Sequence, residues 1–471
     1  MSVTIESREI VQPSPKPRRR KKDYIQPSPY SFSKGMSRGN IFTRLSLVIF
    51  GLGNIAHRQF VKGAIFLAIE VGFIYFMAAQ GSAKIGALIR LEGTGQTKTK
   101  VNGFWVYQAG QPSVVILLYG ISTIVLCLAF LVVAWVAVRS AYKAQVLAAE
   151  NDGKAPNFMQ DMRSLTNVNI QTLLMSLPTA GIAVFTVLPL VFMITMAFTS
   201  YDSNHVTRFG WVGLQNFAKV FGSGAGDVNI QLFMSVLAWT LVWAFFATFL
   251  NYFLGMFMAM IIERKGTRLK GFWRACFSMS IAVPQFVSLL VMNTMLQPSG
   301  AINRLLQQWG WIDSALPFFT DATWARVTVI VINLWVGIPY TIMQVTGILQ
   351  NIPGELYEAA RLDGANSWQL FRNVTMPYMF FVMTPYLITT FTANVNNFNV
   401  IYLLSNGDPT PVGASAGKTD LLITWLYKLT VDKSNYNLGA VIGILTFIVL
   451  AVVSLVAYRS SGSYKNEEGF Q

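Results

Sequence analysis

Residues 352–378 read IPGELYEAARLDGANSWQLFRNVTMPY, a mixed polar run between two long apolar segments. A run this polar cannot cross a bilayer, so it belongs at the water surface. Pro353 suits a first helical turn, Glu355 and Glu358 favour the positive end of the helix dipole, and Gly364 supplies a stop. The pattern predicts a short helix over 353–363. Asn366 followed by Gln369 reads as a capping pair that opens a second helix, running through Phe371 and Val374 toward Met376 and Pro377. Leu356, Ala359, Ala360 and Asp363 recur at spacings of three and four, which gives the first helix one small, nearly flat face. Two readings fit that face: an ordinary interfacial helix with a local Glu358–Arg361 ion pair, or a surface on which another protein docks.

The chain around this run is a membrane protein. Of its 471 residues, 53% are apolar and 12% charged, against roughly a quarter charged in soluble domains. Apolar segments of span length recur along nearly the whole chain, leaving no soluble stretch long enough for a catalytic domain. The net charge of +15 is concentrated near the N-terminus and in one loop, so it reads as topology information before nucleic-acid affinity. Cys127 and Cys276 sit inside apolar segments, and His57 and His205 lie far apart, which suggests neither a disulfide framework nor a metal site.

In chain order, residues 1–40 are expected to be a disordered basic tail, with KPRRRKK at 16–22 facing anionic lipid or, as the other reading, nucleic acid. Residues 41–168 should hold an interfacial or re-entrant helix at 41–56, broken by Gly51 and Gly53, then spans at 61–80 and 113–138. Glu70 falls within the first span, either as a functional carboxylate or as a structural group facing the bundle. Arg139, Lys143, Lys154 and Arg163 should mark a cytoplasmic loop. Residues 169–459 should form a core of six spans, at 171–199, 231–262, 275–296, 327–349, 378–404 and 438–458, with the surface run at 352–377 between the fourth and fifth of them. Pro284 should break its span, and Pro339 should open the next one locally. A short cytoplasmic tail, 460–471, follows. An even span count and the basic N-terminus put both termini in the cytoplasm, against the vote of Lys84, Arg90, Lys98 and Lys100 in a loop assigned outside. The GASAGKT run at 413–419 has three residues between its glycines where a phosphate-binding loop needs four, so it is not read as a nucleotide site.

Glu358-Ala359-Ala360, then Gly364 after three intervening residues, then Val374, Met376 and Pro377 after nine more resemble the EAA signature of binding-protein-dependent ABC importer permeases, with Pro353, Glu355, Leu356, Asp363 and Ala365 similar to the sugar-importer branch. The resemblance implies an all-α polytopic protein of about eight spans with the type I importer permease fold. It also implies that Glu355, Glu358, Ala359, Ala360, Asp363 and Gly364 couple the chain to a separate ATPase. Trp335-Val-Gly337-Ile-Pro339-Tyr340 and Asn394-Val-Asn396-Asn397-Phe398 resemble the larger permease subunit of maltose and maltodextrin importers. That similarity implies a sugar site at Trp335, Gly337, Tyr340, Asn394 and Asn397, with Gln285 and Ile281 standing where the maltose type has a serine and an aromatic hydroxyl. Aromatic faces and amides are the side chains that bind sugars, though asparagines in spans also join helices.

The implied protein is a non-enzymatic permease subunit in the cell membrane. It would bind no cofactor itself, leaving ATP and Mg to the ATPase. Its implied partners are a second permease subunit, two ATPase subunits, an extracellular sugar-binding protein, an oligosaccharide and the lipid bilayer, with no nucleic acid. Two other readings remain: a proton-coupled sugar transporter using Glu70, and an enzyme acting on lipid-linked sugars, for which no loop carries a paired-carboxylate or metal motif.

Overall fold

The computed structural model describes residues 30–93, 97–101, 104–108, 110–150, 155–167, 170–222, 228–264 and 266–460. Residues 1–29 of the tail expected over 1–40, with the basic block at 16–22, Lys154 and the C-terminal segment from residue 461 lie outside them. Among the described residues seven helices are long and apolar enough to span a membrane: Phe60–Arg90, Ser113–Glu150, Ile170–Met196, Ile230–Glu263, Ala322–Asn351, Ser367–Leu404 and Tyr436–Arg459. Counted as one broken span, the bent pair Lys270–Ala282 and Gln285–Met295 makes an eighth, fifth in chain order. Among the described residues the fold is all-α apart from one antiparallel hairpin, Thr97–Val101 with Phe104–Gln108, in a connection that reads as polar loop.

Several boundaries differ from the sequence reading. The first span does not stop near residue 80 but continues through a π-turn at Met77–Gly81 to Arg90. Lys84 and Arg90 therefore lie on helix, Lys84 donating to Gln80 Oε1 at 2.9 Å one turn back. The second span likewise runs on to Glu150, so Arg139 and Lys143 are helical and not loop residues. Arg139 lies over the Trp135 ring at 5.2 Å and donates to the Tyr30 carbonyl at 2.9 Å. In both places the helix outlasts the apolar run because long basic side chains cover neighbouring apolar surface with their stems. Phe32–Arg38, assigned to the tail, forms a helix because Ser31 caps it by accepting from Lys34 N.

The prolines divide. Val283, ahead of Pro284, is extended (φ −85°, ψ 125°), as the residue before proline prefers, and the span bends there by 82°. Pro339, by contrast, opens nothing: it is buried inside an unbroken helix, Ala322–Asn351. It removes a single backbone bond, and the neighbouring spans packed around it hold the helix on course.

By contacts the chain divides into two compact units, Met1–Ile85 with Ser122–Ala183 and Gly86–Ile121 with Val184–Gln471. In the first, Gly51 takes φ +78° and packs on the Gly63 backbone so closely that a Cβ would collide with it. This close approach turns the short helices Ile41–Leu45 and Leu52–Ala56 back beside the first span. The turn leaves the Phe50 N–H buried, and Glu70 accepts it at 2.7 Å. The ring of Phe50 stacks on Phe130, which stacks in turn on Phe73.

The second unit holds the larger cores. Trp239, Trp243, Leu289, Val329, Val400 and Leu404 form one. Met256, Ala259, Ile342, Val345, Met379 and Met383 form another, which binds the fourth, sixth and seventh spans next to the polar run at 352–378. The fourth and sixth spans meet without side-chain thickness at two points. Gly255 abuts Thr341, where a Cβ would come 2.6 Å from the threonine Cβ, and Gly337 abuts the Asn251 amide.

Candidate functional site

The polar run folds as its caps dictate. Gly354–Leu362 is a helix behind Pro353, and Gly364 ends it at φ +80°, where L side chains are strained. Asn366 and Gln369 form a reciprocal capping box, with Asn366 Oδ1 accepting from Gln369 N at 2.9 Å and Gln369 Oε1 accepting from Asn366 N at 2.8 Å. The second helix then passes through a π-turn at Phe371–Thr375 directly into the seventh span. Tyr357 and Thr375 hydroxyls, 2.9 Å apart, tie the short helix back to that span.

Glu355, Glu358, Ala359, Asp363 and Gly364 are exposed and Ala360 is half-buried. Leu362 is 89% exposed, a large apolar side chain with nothing to cover it. Among the described residues no ion pair joins Glu358 to Arg361; both line an open groove of about 810 Å3 with Glu263, Arg264 and Tyr357. Glu263 lies 3.7 Å from Lys270 Nζ and 3.5 Å from Arg274 Nε, which fastens the end of the fourth span to the start of the fifth.

A cavity of about 180 Å3 opens between the fourth, sixth and seventh spans. It brings together Gly337 and Tyr340 of the sixth span with Asn394 and Asn397 of the seventh, four of the six residues the sequence singles out for a sugar. Trp335 and Gln285 do not line it: Trp335 is 55% exposed on another face of its helix, and Gln285 is half-buried just after the Pro284 bend. Sequence reasoning missed Thr248, Asn251, Tyr252, Asn333, Thr341, Tyr386 and Thr390, which complete the polar lining. The criterion that found the asparagines of the seventh span, amides and hydroxyls inside apolar runs, would have found these too.

The seventh helix stops at Val395. Asn397 restarts it as an N-cap, its Oδ1 accepting from Val400 N at 3.3 Å, so the seventh span is broken at Asn396–Asn397 where the sequence reads as one apolar run. Asn397 Nδ2 donates to Asn394 Oδ1 at 3.3 Å, and Asn394 Nδ2 donates to Thr248 Oγ1 at 3.1 Å. The backbone carbonyl of Asn394 accepts from Trp243 Nε1 at 3.1 Å. Asn394 thus joins helices as well as lining the cavity. No side chain lining the cavity carries a charge.

The GASAGKT run lies in a connection between the seventh and eighth spans, and several of its backbone donors are satisfied internally. Gly417 N donates to Asp420 Oδ2 at 2.7 Å, and Lys418 N to the Pro409 carbonyl at 2.9 Å. Asp420, fully buried, also accepts from Thr424 Oγ1 at 2.8 Å and Lys428 Nζ at 2.7 Å. Burial pushes its carboxyl above the ordinary value, with the Lys428 ammonium pulling the other way. Among the described residues no group of three or more His, Cys, Asp or Glu could hold a metal.

Residues 251–462 match the family described as binding-protein-dependent transport system inner membrane component. The chain is 35% identical over 431 residues to the galactooligosaccharides transport system permease protein GanP of Bacillus subtilis, covering 89% of this chain and 97% of that protein. It is 32% identical to the maltodextrin transport system permease protein MalC of Streptococcus pneumoniae, over 89% of this chain and 96% of that one. The maltose/maltodextrin transport system permease protein MalF of Escherichia coli is 35% identical over 52% of this chain and 49% of its own length. Among solved structures, a chain of a bacterial ABC transporter that imports alginate superposes with a TM-score of 0.51 at 20% identity, over 63% of this chain and 96% of that one, a likeness of fold.

Proposed function

From the premise that the chain belongs to the permease subunits of binding-protein-dependent ABC sugar importers, we propose that it forms half of the path for a neutral, maltodextrin-type oligosaccharide. The observation that carries this reading is the cavity in which Gly337, Tyr340, Asn394 and Asn397 converge. Its wall mixes amides and hydroxyls with an aromatic face, the chemistry that pairs with sugar hydroxyls and C–H surfaces. A wall without charges suits a neutral sugar better than an acidic one. Trp335, exposed on another face, would line the path where the second permease subunit packs, and Gln285, at the bend of the fifth span, would shape selectivity from there.

The exposed helix 354–362 would dock on one of two ATPase subunits, with Leu356 and Leu362 buried by the partner and Glu355, Glu358 and Asp363 at the rim. ATP-driven closure of the ATPase pair would move this helix, and the Tyr357–Thr375 bond with the direct run into the seventh span would carry the motion to Asn394 and Asn397. Both termini would be cytoplasmic, and a sugar-binding protein would deliver substrate from the other side. Residues 41–168 would serve as an accessory region ahead of the six-span core at 169–459. Glu70 is not favoured as a proton site, because its carboxylate is committed to the buried Phe50 N–H.

The test is uptake of labelled oligosaccharides by the complex reconstituted with its ATPase, second permease and binding protein. Tyr340→Ala and Asn397→Ala should lower uptake in a complex that still assembles, and Gln285→Ser should change the ranking among sugars. Wild-type uptake and ranking in all three would place the sugar path elsewhere.

A further inference from the structure

The fourth span contributes two polar groups to the same cavity whose hydrogen-bonding capacity the protein leaves unused. Asn251 is 6% exposed and Tyr252 1% exposed, and both line the cavity. Asn251 Nδ2 donates to the Ala247 carbonyl at 2.7 Å, which leaves Oδ1 without a donor; the Tyr252 hydroxyl likewise has no partner. Other polar side chains of the wall are engaged: Asn394 with Thr248, Asn397 with Asn394, and Thr341 with the Gly337 carbonyl at 3.2 Å. Unpartnered buried polar atoms are rare in folded proteins, and a low-dielectric setting makes each one costly. Two such atoms sit on adjacent residues that both line one cavity, which makes this the place to look for a ligand that would partner them.

Their chemistry selects it. Asn251 Oδ1 can only accept, and the Tyr252 hydroxyl can donate as well as accept. A sugar hydroxyl does both, so neighbouring hydroxyls on one ring could donate to Asn251 and accept from Tyr252. The position of Asn251 is fixed by the sixth span, because Gly337 leaves the notch its amide occupies; a Cβ at 337 would fall on that amide. Gly337 thus holds the Asn251 amide in place.

We propose that Asn251 and Tyr252 form a fourth-span subsite that reads a pair of neighbouring sugar hydroxyls and sets which neutral oligosaccharide passes. This rests on the cavity being the sugar path. The test compares Tyr252→Phe and Asn251→Ala with Tyr340→Ala and Asn397→Ala in the reconstituted complex. The readouts are the KM for labelled maltotriose, competition by an unlabelled galactooligosaccharide, and co-purification of the subunits.

Loss of one neutral hydrogen bond corresponds to a roughly 2- to 12-fold rise in KM. Tyr252→Phe and Asn251→Ala should each show a rise of that order, with a changed preference between the two sugars and unchanged co-purification. If Tyr340→Ala and Asn397→Ala raise KM while both fourth-span variants keep wild-type KM and preference, the subsite is refuted and the sugar path stands. If all four behave as wild type, the path is refuted and the subsite with it.

Discussion

Replacing Gly337 by alanine adds one methyl group where the sixth span meets the Asn251 amide. The new Cβ would lie within 2.8 Å of Asn251 Oδ1 and nearer still to Cγ and Nδ2, contacts that real Cβ atoms do not make. Either the helices part or Asn251 swings away and gives up its bond to the Ala247 carbonyl. Overpacking costs about 1–3 kcal/mol and the lost bond about 0.5–1.5 kcal/mol, against about 0.5–1 kcal/mol gained by removing a glycine from a helix interior. At the centre of these ranges the net loss is about 1 kcal/mol if the helices part, and smaller if Asn251 swings away instead. Gly347, on the same helix with open space around its missing side chain, supplies the control: Gly347→Ala keeps only the helix term and should stabilise. Thermal unfolding of the purified protein in detergent should rank Gly347→Ala at or above wild type and Gly337→Ala clearly below. Asn251→Ala with Gly337→Ala should be less destabilised than the sum of the two, because the truncated side chain vacates the notch. A Gly337→Ala protein as stable as the Gly347→Ala protein would refute the packing argument.

Gly364→Val forces a β-branched residue to φ +80°, a strain of about 1–3 kcal/mol; ATPase co-purification and uptake should fall while membrane insertion persists. Glu70→Gln keeps an acceptor for Phe50 N–H and should preserve uptake, whereas Glu70→Leu strands that buried donor at a cost of about 1–3 kcal/mol and should lower the melting temperature. Lys428→Met leaves Asp420 buried without its cation, a loss of about 3–5 kcal/mol, seen as faster proteolysis within 405–421. Because burial holds the Asp420 pKa above its unfolded value, stability from this group is present at low pH and lost as pH rises through the raised value. Protease resistance of the Lys428→Met loop should therefore recover on acidification; loss of resistance that is independent of pH would contradict this.

What could be read from the sequence is what neighbouring residues decide. Pro353, Gly364 and the Asn366–Gln369 box act within a turn of the chain, so the polar surface element appeared with its boundaries. Pro284 breaks its span through the residue next to it. Pro339 looks the same in sequence and breaks nothing, because the packing of other spans around it decides the outcome. The partner of Glu70 is a backbone N–H twenty residues earlier, exposed only by the Gly51–Gly63 approach, and no spacing rule reaches it. At the cavity, residue type found Tyr340, Asn394 and Asn397, and family resemblance found Gly337. Neither showed that Trp335 turns away from the cavity, since the direction of a side chain around a helix depends on where the neighbouring spans lie. Asn251 and Tyr252 were visible as polar residues in an apolar run, yet their meaning depends on the Gly337 notch that only the fold provides.

ATP-dependent uptake of labelled maltotriose into proteoliposomes carrying this chain, its second permease and its ATPase, with binding protein outside and a protonophore present, separates an ATP-driven sugar path from a proton-driven one. Uptake that requires ATP inside, survives collapse of the proton gradient and falls in Asn397→Ala is the predicted result. Uptake driven by a proton gradient without ATP, and abolished in Glu70→Gln, would contradict it.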